Sequence, residues 1–317
     1  MRSEDDKPRG IYSAVPTPFQ ASGDLDLEQL LDLMAWQLDP RGDSVDRGER
    51  GVQGFVIYGT TGESPTLTLA EREQITRAAV ARFPTVEMIA GVGSNSTAGS
   101  VELATQARAW GASGGLVVTP YYNKPSQEGL YRHFATIAEA TPEWPLVLYV
   151  VPGRASVSLD VEVVERLLRD YPHIVGVKDA TADLSYAAEL LSCCGDRAHV
   201  LSGDDPTALA AWSLGMQGSI SVVSNIIPST FATLWAHHTR GERDAARRLF
   251  LAIHPLIRAL FVESNPIPLK EALGLWSAEE LIPITGLTSH VRPPLAPLNE
   301  AQRRVLCAAL ESTREVM

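Results

Sequence analysis

The run Ile174-Val175-Gly176-Val177 closes on Lys178 and opens at once into the polar stretch Asp179-Ala180-Thr181-Ala182-Asp183. An unbroken apolar run, without alternation, is the pattern of a strand buried on both faces, as in a parallel α/β structure. A lysine at its end presents an amine at one rim of such a structure. There a buried lysine can attack a carbonyl and form a Schiff base, which turns a keto acid into an electron sink. Taken alone, a strand-end lysine is more often a solvated surface charge, since lysine is rarely buried without a reason. The rest of the chain decides between the two.

Working outward, similar short runs recur at Ile11 to Val15, Gly54 to Tyr58, Glu87 to Gly91, Gly115 to Val118, Leu146 to Val150, His199 to Leu201 and Gly218 to Val222. Between them lie amphipathic stretches: Leu27 to Leu38, Leu69 to Arg82, Thr97 to Trp110, Gln127 to Ala140, Val161 to Arg169, Leu184 to Cys193, Pro206 to Leu214 and Pro228 to His238. Thr68 with Glu71 forms a candidate capping box at the start of one of them. Eight strand-helix units in about 240 residues predict a (β/α)8 TIM barrel over residues 1–241. An open doubly wound sheet is the alternative, but no dinucleotide-type glycine pattern follows the first strand. After Gly241 the pattern turns helical, at Glu242 to Phe261, Pro266 to Leu275 and Ala301 to Val316, which predicts a C-terminal helical appendage over 242–317. The stretch from Pro40 to Glu49 reads as a surface insertion.

Composition narrows the function. The 317 residues carry 27 Lys plus Arg against 38 Asp plus Glu, a net charge of −11, so binding to a phosphate backbone lacks its usual electrostatic footing and no nucleic-acid partner is expected. Cys193, Cys194 and Cys307 do not resemble a disulfide framework and suit a reducing compartment. No apolar run approaches the roughly 18 residues that span a bilayer, and Met1 to Lys7 lacks the apolar core of a signal peptide. A cytoplasmic protein without a membrane partner is expected. The seven histidines show no ligand-like spacing, which disfavours a metal-dependent aldolase, and the absence of a Gly-x-Ser-x-Gly elbow disfavours a serine hydrolase. Neither metal nor cofactor is expected.

In a barrel of this kind chemistry belongs to the loops that follow the strands. After the second strand, Gly59-Thr60-Thr61-Gly62-Glu63-Ser64 offers hydroxyls and backbone N–H groups able to hold a carboxylate and relay a proton, or is an ordinary tight turn. After the fourth, Thr119-Pro120-Tyr121-Tyr122-Asn123-Lys124-Pro125 brings two phenols, either for chemistry or as an aromatic packing or interface patch. The fifth strand ends Leu148-Tyr149-Val150-Val151-Pro152-Gly153-Arg154. Arg154 offers a planar fork suited to a carboxylate, or a surface salt bridge. Asp204 and Asp205, after the seventh, read as helix caps in preference to catalytic carboxylates.

Together these segments resemble the dihydrodipicolinate synthase and N-acetylneuraminate lyase family of lysine-dependent aldolases that use pyruvate. The resemblance runs from Ile11 to about Arg304. It rests on Thr17-Pro18-Phe19, Gly59-Thr60-Thr61-Gly62-Glu63, Tyr121 to Leu130, Tyr149 with Pro152 and Arg154, Gly176-Val177-Lys178-Asp179-Ala180-Thr181, and Asn265-Pro266-Ile267-Pro268. The tyrosine segment and Arg154 look more like the synthase branch. The resemblance implies a lyase of lysine biosynthesis that condenses pyruvate with the small aldehyde aspartate 4-semialdehyde, giving 4-hydroxy-tetrahydrodipicolinate. It implies Lys178 as Schiff-base nucleophile, Tyr149 as proton donor and acceptor, and Thr60 as its link to Tyr122, which reaches in from a neighbouring subunit. Thr61 would hold the pyruvate carboxylate, Arg154 the carboxylate of the second substrate, with Gly203 and Ile220 lining the pocket. A homotetramer of two tight dimers is implied as well.

Two departures bear on the second substrate. Val150 and Ala155 stand where the synthase pattern usually has Asn and Thr. An aldolase, dehydratase or deaminase of another 2-keto acid is therefore the nearest alternative. A non-catalytic small-molecule sensor is a third, though it needs a missing nucleophile or relay. Leu69, Arg72 and Gly99 replace polar or acidic side chains of the lysine-inhibited members, so weak or absent lysine feedback is expected.

Overall fold

The computed structural model describes residues 7–40 and 51–314. Beyond Pro40, the insertion read between Pro40 and Glu49 lies outside the described residues. Eight strands follow one another in chain order: β1 (Gly10–Ala14), β2 (Gly54–Ile57), β3 (Glu87–Gly91), β4 (Gly114–Val118), β5 (Leu146–Val150), β6 (Ile174–Asp179), β7 (His199–Ser202) and β8 (Gly218–Ser221). Their order in the sheet is their order in the chain, in a closed barrel, and the fold is a (β/α)8 barrel. Every residue of β1, β5 and β6 is buried, which is why β5 and the stretch of β6 before Lys178 read as continuous apolar runs.

The helices are α1 (Leu27–Leu38), α2 (Leu69–Arg82), α3 (Thr97–Ala109), α4 (Gln127–Ala140), the single turn α5 (Pro152–Ala155), α6 (Val161–Asp170), α7 (Leu184–Cys194), α8 (Ala208–Leu214) and α9 (Pro228–Thr239), followed by α10 (Arg243–Ala259), α11 (Ile267–Ala278) and α12 (Glu300–Arg314). Their starts are chemically marked. The side chains of Asp26, Ser96, Ser126 and Asp183 each accept a backbone N–H of the first turn, and Thr68 with Glu71 closes the full capping box of α2. Each such cap contributes about 1 kcal/mol. Asp204 also caps: its Oδ2 accepts from the Thr207 N–H at 3.1 Å, at a 3-10 turn, Asp205–Thr207, which precedes α8.

One boundary differs from the sequence reading in a way that matters. β6 does not stop at Val177 but runs through Lys178 and Asp179. Backbone pairing continues on both sides, Tyr149 with Lys178 and Val150 with Asp179 on one, Lys178 with Leu201 and Asp179 with Ser202 on the other. The lysine is thus a strand residue paired on both sides, and the strand runs one residue beyond it. Strand alternation sends Lys178 and Asp179 to opposite faces.

The chain divides into two compact units. The first takes the chain up to Gly10 with Glu87–Ile220. Its core includes Trp212, whose indole Nε1 donates to the Gly218 carbonyl at 3.1 Å and the Ser219 hydroxyl at 3.0 Å. The second takes Ile11–Val86 with the chain from Ser221 onward. There the buried Asn225 amide donates to the carbonyls of Ala14 and Val222 and accepts from Gln37, so both ends of this amide are engaged within an apolar surround. Among the described residues no helix is long and apolar enough to cross a membrane.

Gly218 opens β8 at φ +146°, and a Cβ there would lie 2.0 Å from the Gly10 carbonyl oxygen, beside the bond that Gly10 N–H donates to Gln217 O at 2.8 Å. Gly218→Ala is expected to destabilise the fold by about 3 kcal/mol or more, the sum of a backbone conformation reserved for glycine and a backbone clash. Chemical denaturation measures it. Wild-type stability in the variant would contradict the close approach.

Candidate active site

Lys178 is 6% exposed and so is Tyr149. Because they are paired across β5 and β6, their side chains leave the sheet on the same face. The Lys178 Nζ lies 4.3 Å from the centroid of the Tyr149 ring. The face of an aromatic ring attracts a positive nitrogen, the charge that an iminium carries. An amine and a phenol are thus adjacent, on two hydrogen-bonded strands.

Gly203 completes this half. Its N–H donates to the Asp179 carbonyl at 2.6 Å. A Cβ at this position would stand 2.7 Å from Lys178 Cε, 3.0 Å from its Cγ and 2.9 Å from Ala180 Cβ. The glycine is therefore what leaves room for the lysine stem. Asp179, on the other face, is buried, and burial pushes its carboxyl above the usual range against the hydrogen bonding of Thr181. Its Oδ1 accepts the Thr181 N–H at 2.9 Å and fixes the turn that leaves the strand.

Arg154 is exposed on the one-turn helix α5, whereas Ile220 is buried within β8. Tyr122 is 88% exposed and held at φ +74°, a conformation costly for an aromatic residue. This chain does not pack it. The next residue, Asn123, anchors the segment through its amide, which donates to the Asn95 carbonyl at 2.8 Å.

In the second unit, the loop after β2 is bracketed by Tyr58 at φ +36° and Glu63 at φ +55°. Glu63 N–H donates to the Thr60 carbonyl at 3.1 Å, and Thr17 donates through its hydroxyl to the Gly62 carbonyl at 2.8 Å. Thr60 is half-buried. Thr61 is buried, and its Oγ1 accepts from the Asn265 side-chain amide at 2.8 Å. At the end of the loop the Glu63 carboxylate is ion-paired with Lys270, and its other oxygen accepts the Arg292 N–H at 3.0 Å. Burial brings the Lys270 ammonium down to about 8, against the pull of Glu63.

Residues 7–313 match the Dihydrodipicolinate synthetase family. The chain belongs to that family. The 4-hydroxy-tetrahydrodipicolinate synthase of Pelobacter propionicus is 42% identical over 307 residues, 96% of this chain and 98% of that protein. The solved 4-hydroxy-tetrahydrodipicolinate synthase from the methanotroph Methylacidiphilum fumariolicum SolV has a TM-score of 0.88 at 37% identity, covering 98% of this chain and 97% of that one. The chloride-inhibited dihydrodipicolinate synthase from Acinetobacter baumannii, solved in complex with pyruvate, has a TM-score of 0.86 at 38% identity, covering 96% of this chain and 99% of that one.

Within this member of the dihydrodipicolinate synthetase family, the sequence reading left Asn265, Lys270 and Glu63 without roles. Asn265 and Glu63 stood inside quoted motifs, but nothing in the spacing says that a side chain some 200 residues away bonds Thr61. Gly203→Ala is expected to displace the Lys178 stem and slow trapping of a small keto acid on that amine by about tenfold or more. Borohydride reduction and peptide mass spectrometry measure it, and an unchanged trapping rate would refute the steric role.

Proposed function

We propose that the chain catalyses the reaction for which these relatives are named, the condensation of pyruvate with aspartate 4-semialdehyde to 4-hydroxy-tetrahydrodipicolinate. The contact of Lys178 Nζ with the Tyr149 ring, both buried, carries the reading. The neutral amine attacks the keto carbon of pyruvate. Tyr149 protonates the departing hydroxyl, so that water leaves and an iminium forms. Loss of a methyl proton gives the enamine, whose carbon attacks the aldehyde. Ring closure by the second substrate's amine then displaces Lys178. Each proton moves through a hydroxyl, which suits Tyr149 with Thr60 and Tyr122 as a relay.

Thr61 and the neighbouring backbone N–H groups hold the pyruvate carboxylate, and Arg154 takes the carboxylate of the aldehyde. Gly203 and Ile220 line the pocket. Residues 1–241 supply the catalytic barrel and 242–317 the helical appendage. Tyr122 serves a neighbouring subunit, a role that its exposure and tense backbone support, and the assembly is a homotetramer working in the cytoplasm. Val150 follows Tyr149 in β5, so its side chain leaves the strand on the face opposite that phenol, and this departure leaves the Tyr149 side of the strand unaltered.

Incubation with pyruvate followed by borohydride is expected to place a reduced adduct on Lys178; its absence would remove the Schiff-base reading. Arg154→Ala is then expected to raise KM for the aldehyde by about tenfold or more while leaving pyruvate trapping intact. Unaltered kinetics with the aldehyde would contradict the role of Arg154.

Feedback follows from Arg72. Its guanidinium is buried, donates to Ser64 O and Oγ at 2.7 Å each and lies 5.1 Å from the Tyr58 ring centroid. A fixed cation repels the ammonium groups of lysine. Micromolar lysine is expected to leave the rate unchanged, and binding in that range by isothermal titration would contradict this.

A further inference from the structure

The second unit buries an ion pair far more completely than its neighbours, and stability gives it no obvious reason. Lys270 and Glu63 have side chains 3% and 1% exposed. A buried pair of this kind is often no more stabilising than apolar residues of equal volume, because both charges give up their water. Here each remaining valence is engaged. Lys270 Nζ also donates to the His290 carbonyl at 2.9 Å and sits 4.1 Å from the Phe19 ring centroid. Arg292 covers that ring at 4.1 Å, donates to the carbonyls of Gly23 and Thr66 at 2.8 Å each, and pairs with Glu71. What the cluster fixes is the end of the loop that carries Thr60 and Thr61.

The same segment reaches the loop a second time. Asn265, five residues before Lys270, donates to Thr61 Oγ1. A hydroxyl that accepts from an amide keeps its own proton to give to something else. Thr61 is thereby set as a donor, the polarity that a carboxylate requires. We propose that Asn265, Lys270 and Glu63 are positioning residues that fix the Thr61 loop and aim the Thr61 hydroxyl as a donor to the carboxylate of the keto acid. This rests on the reading that Thr61 holds that carboxylate. The helical appendage then has a part in substrate binding, through α11.

Asn265→Asp tests the polarity, since its isosteric carboxylate accepts from Thr61 and turns the hydroxyl away from the substrate. Lys270→Met tests the clamp, with thermal melting as the check on folding. In both, the pyruvate concentration that half-saturates borohydride trapping on Lys178 is expected to rise by about tenfold or more, while KM for the aldehyde stays within about threefold. Hydrogen exchange in the peptide spanning Gly59 to Glu63 is expected to quicken in Lys270→Met. Unchanged half-saturation in folded variants overturns the proposal, and Asn265→Asp decides it alone if Lys270→Met does not fold. If the wild-type protein forms no adduct, the functional reading fails separately. Loop exchange then decides the clamp, and unaltered exchange in the variants overturns it.

Discussion

The backbone ladder between β5 and β6 is the constraint on which the candidate chemistry depends. It pairs Tyr149 with Lys178 and continues to Val150 with Asp179. Side chains alternate along a strand, so a one-residue slip would send the lysine to the opposite face and Asp179 into its place. The register is held from the far side too, where β6 pairs with β7 through Lys178 and Leu201. A side chain between two such ladders has its root fixed by hydrogen bonds that loop motion does not disturb. Such a fixed root suits the nucleophilic role proposed for Lys178, which requires placement within about half an ångström.

Burial of charge is the second theme. Lys178, Lys270, Glu63 and Asp179 are all buried, and each is answered differently. The ring of Tyr149 faces the first. The second and third answer one another, with Phe19 beneath the ammonium. The fourth accepts a backbone N–H of its own turn. The first solution comes from the hydrogen-bonded neighbouring strand, the second joins segments 207 residues apart, and the last is local to the turn.

Much of this was legible beforehand because it follows from local rules. Apolar runs separated by amphipathic stretches located all eight strands, and Thr68 with Glu71 announced the start of α2. The misses share a cause. The extension of β6 past Lys178 to Asp179 reads as polar loop in sequence, since only pairing with β5 and β7 makes that carboxylate a strand residue. The single turn α5 was passed over because four residues carry no periodicity. Asn265 and Lys270 stood in or beside a recognised motif, but a bond from Asn265 to Thr61 spans most of the chain and leaves no spacing to read.

The sequence by itself determined the barrel, the family and the candidate nucleophile, since strand burial, helix caps and the run ending in Lys178 are encoded within a few residues of one another. Tertiary structure alone decided which groups meet. It set the phenol of Tyr149 against Lys178, required Gly203 to lack a side chain where the lysine stem passes, and brought α11 back to the loop of Thr61. Those contacts are made by strand register and chain return, and both arise from packing between segments distant in sequence, which no local pattern records.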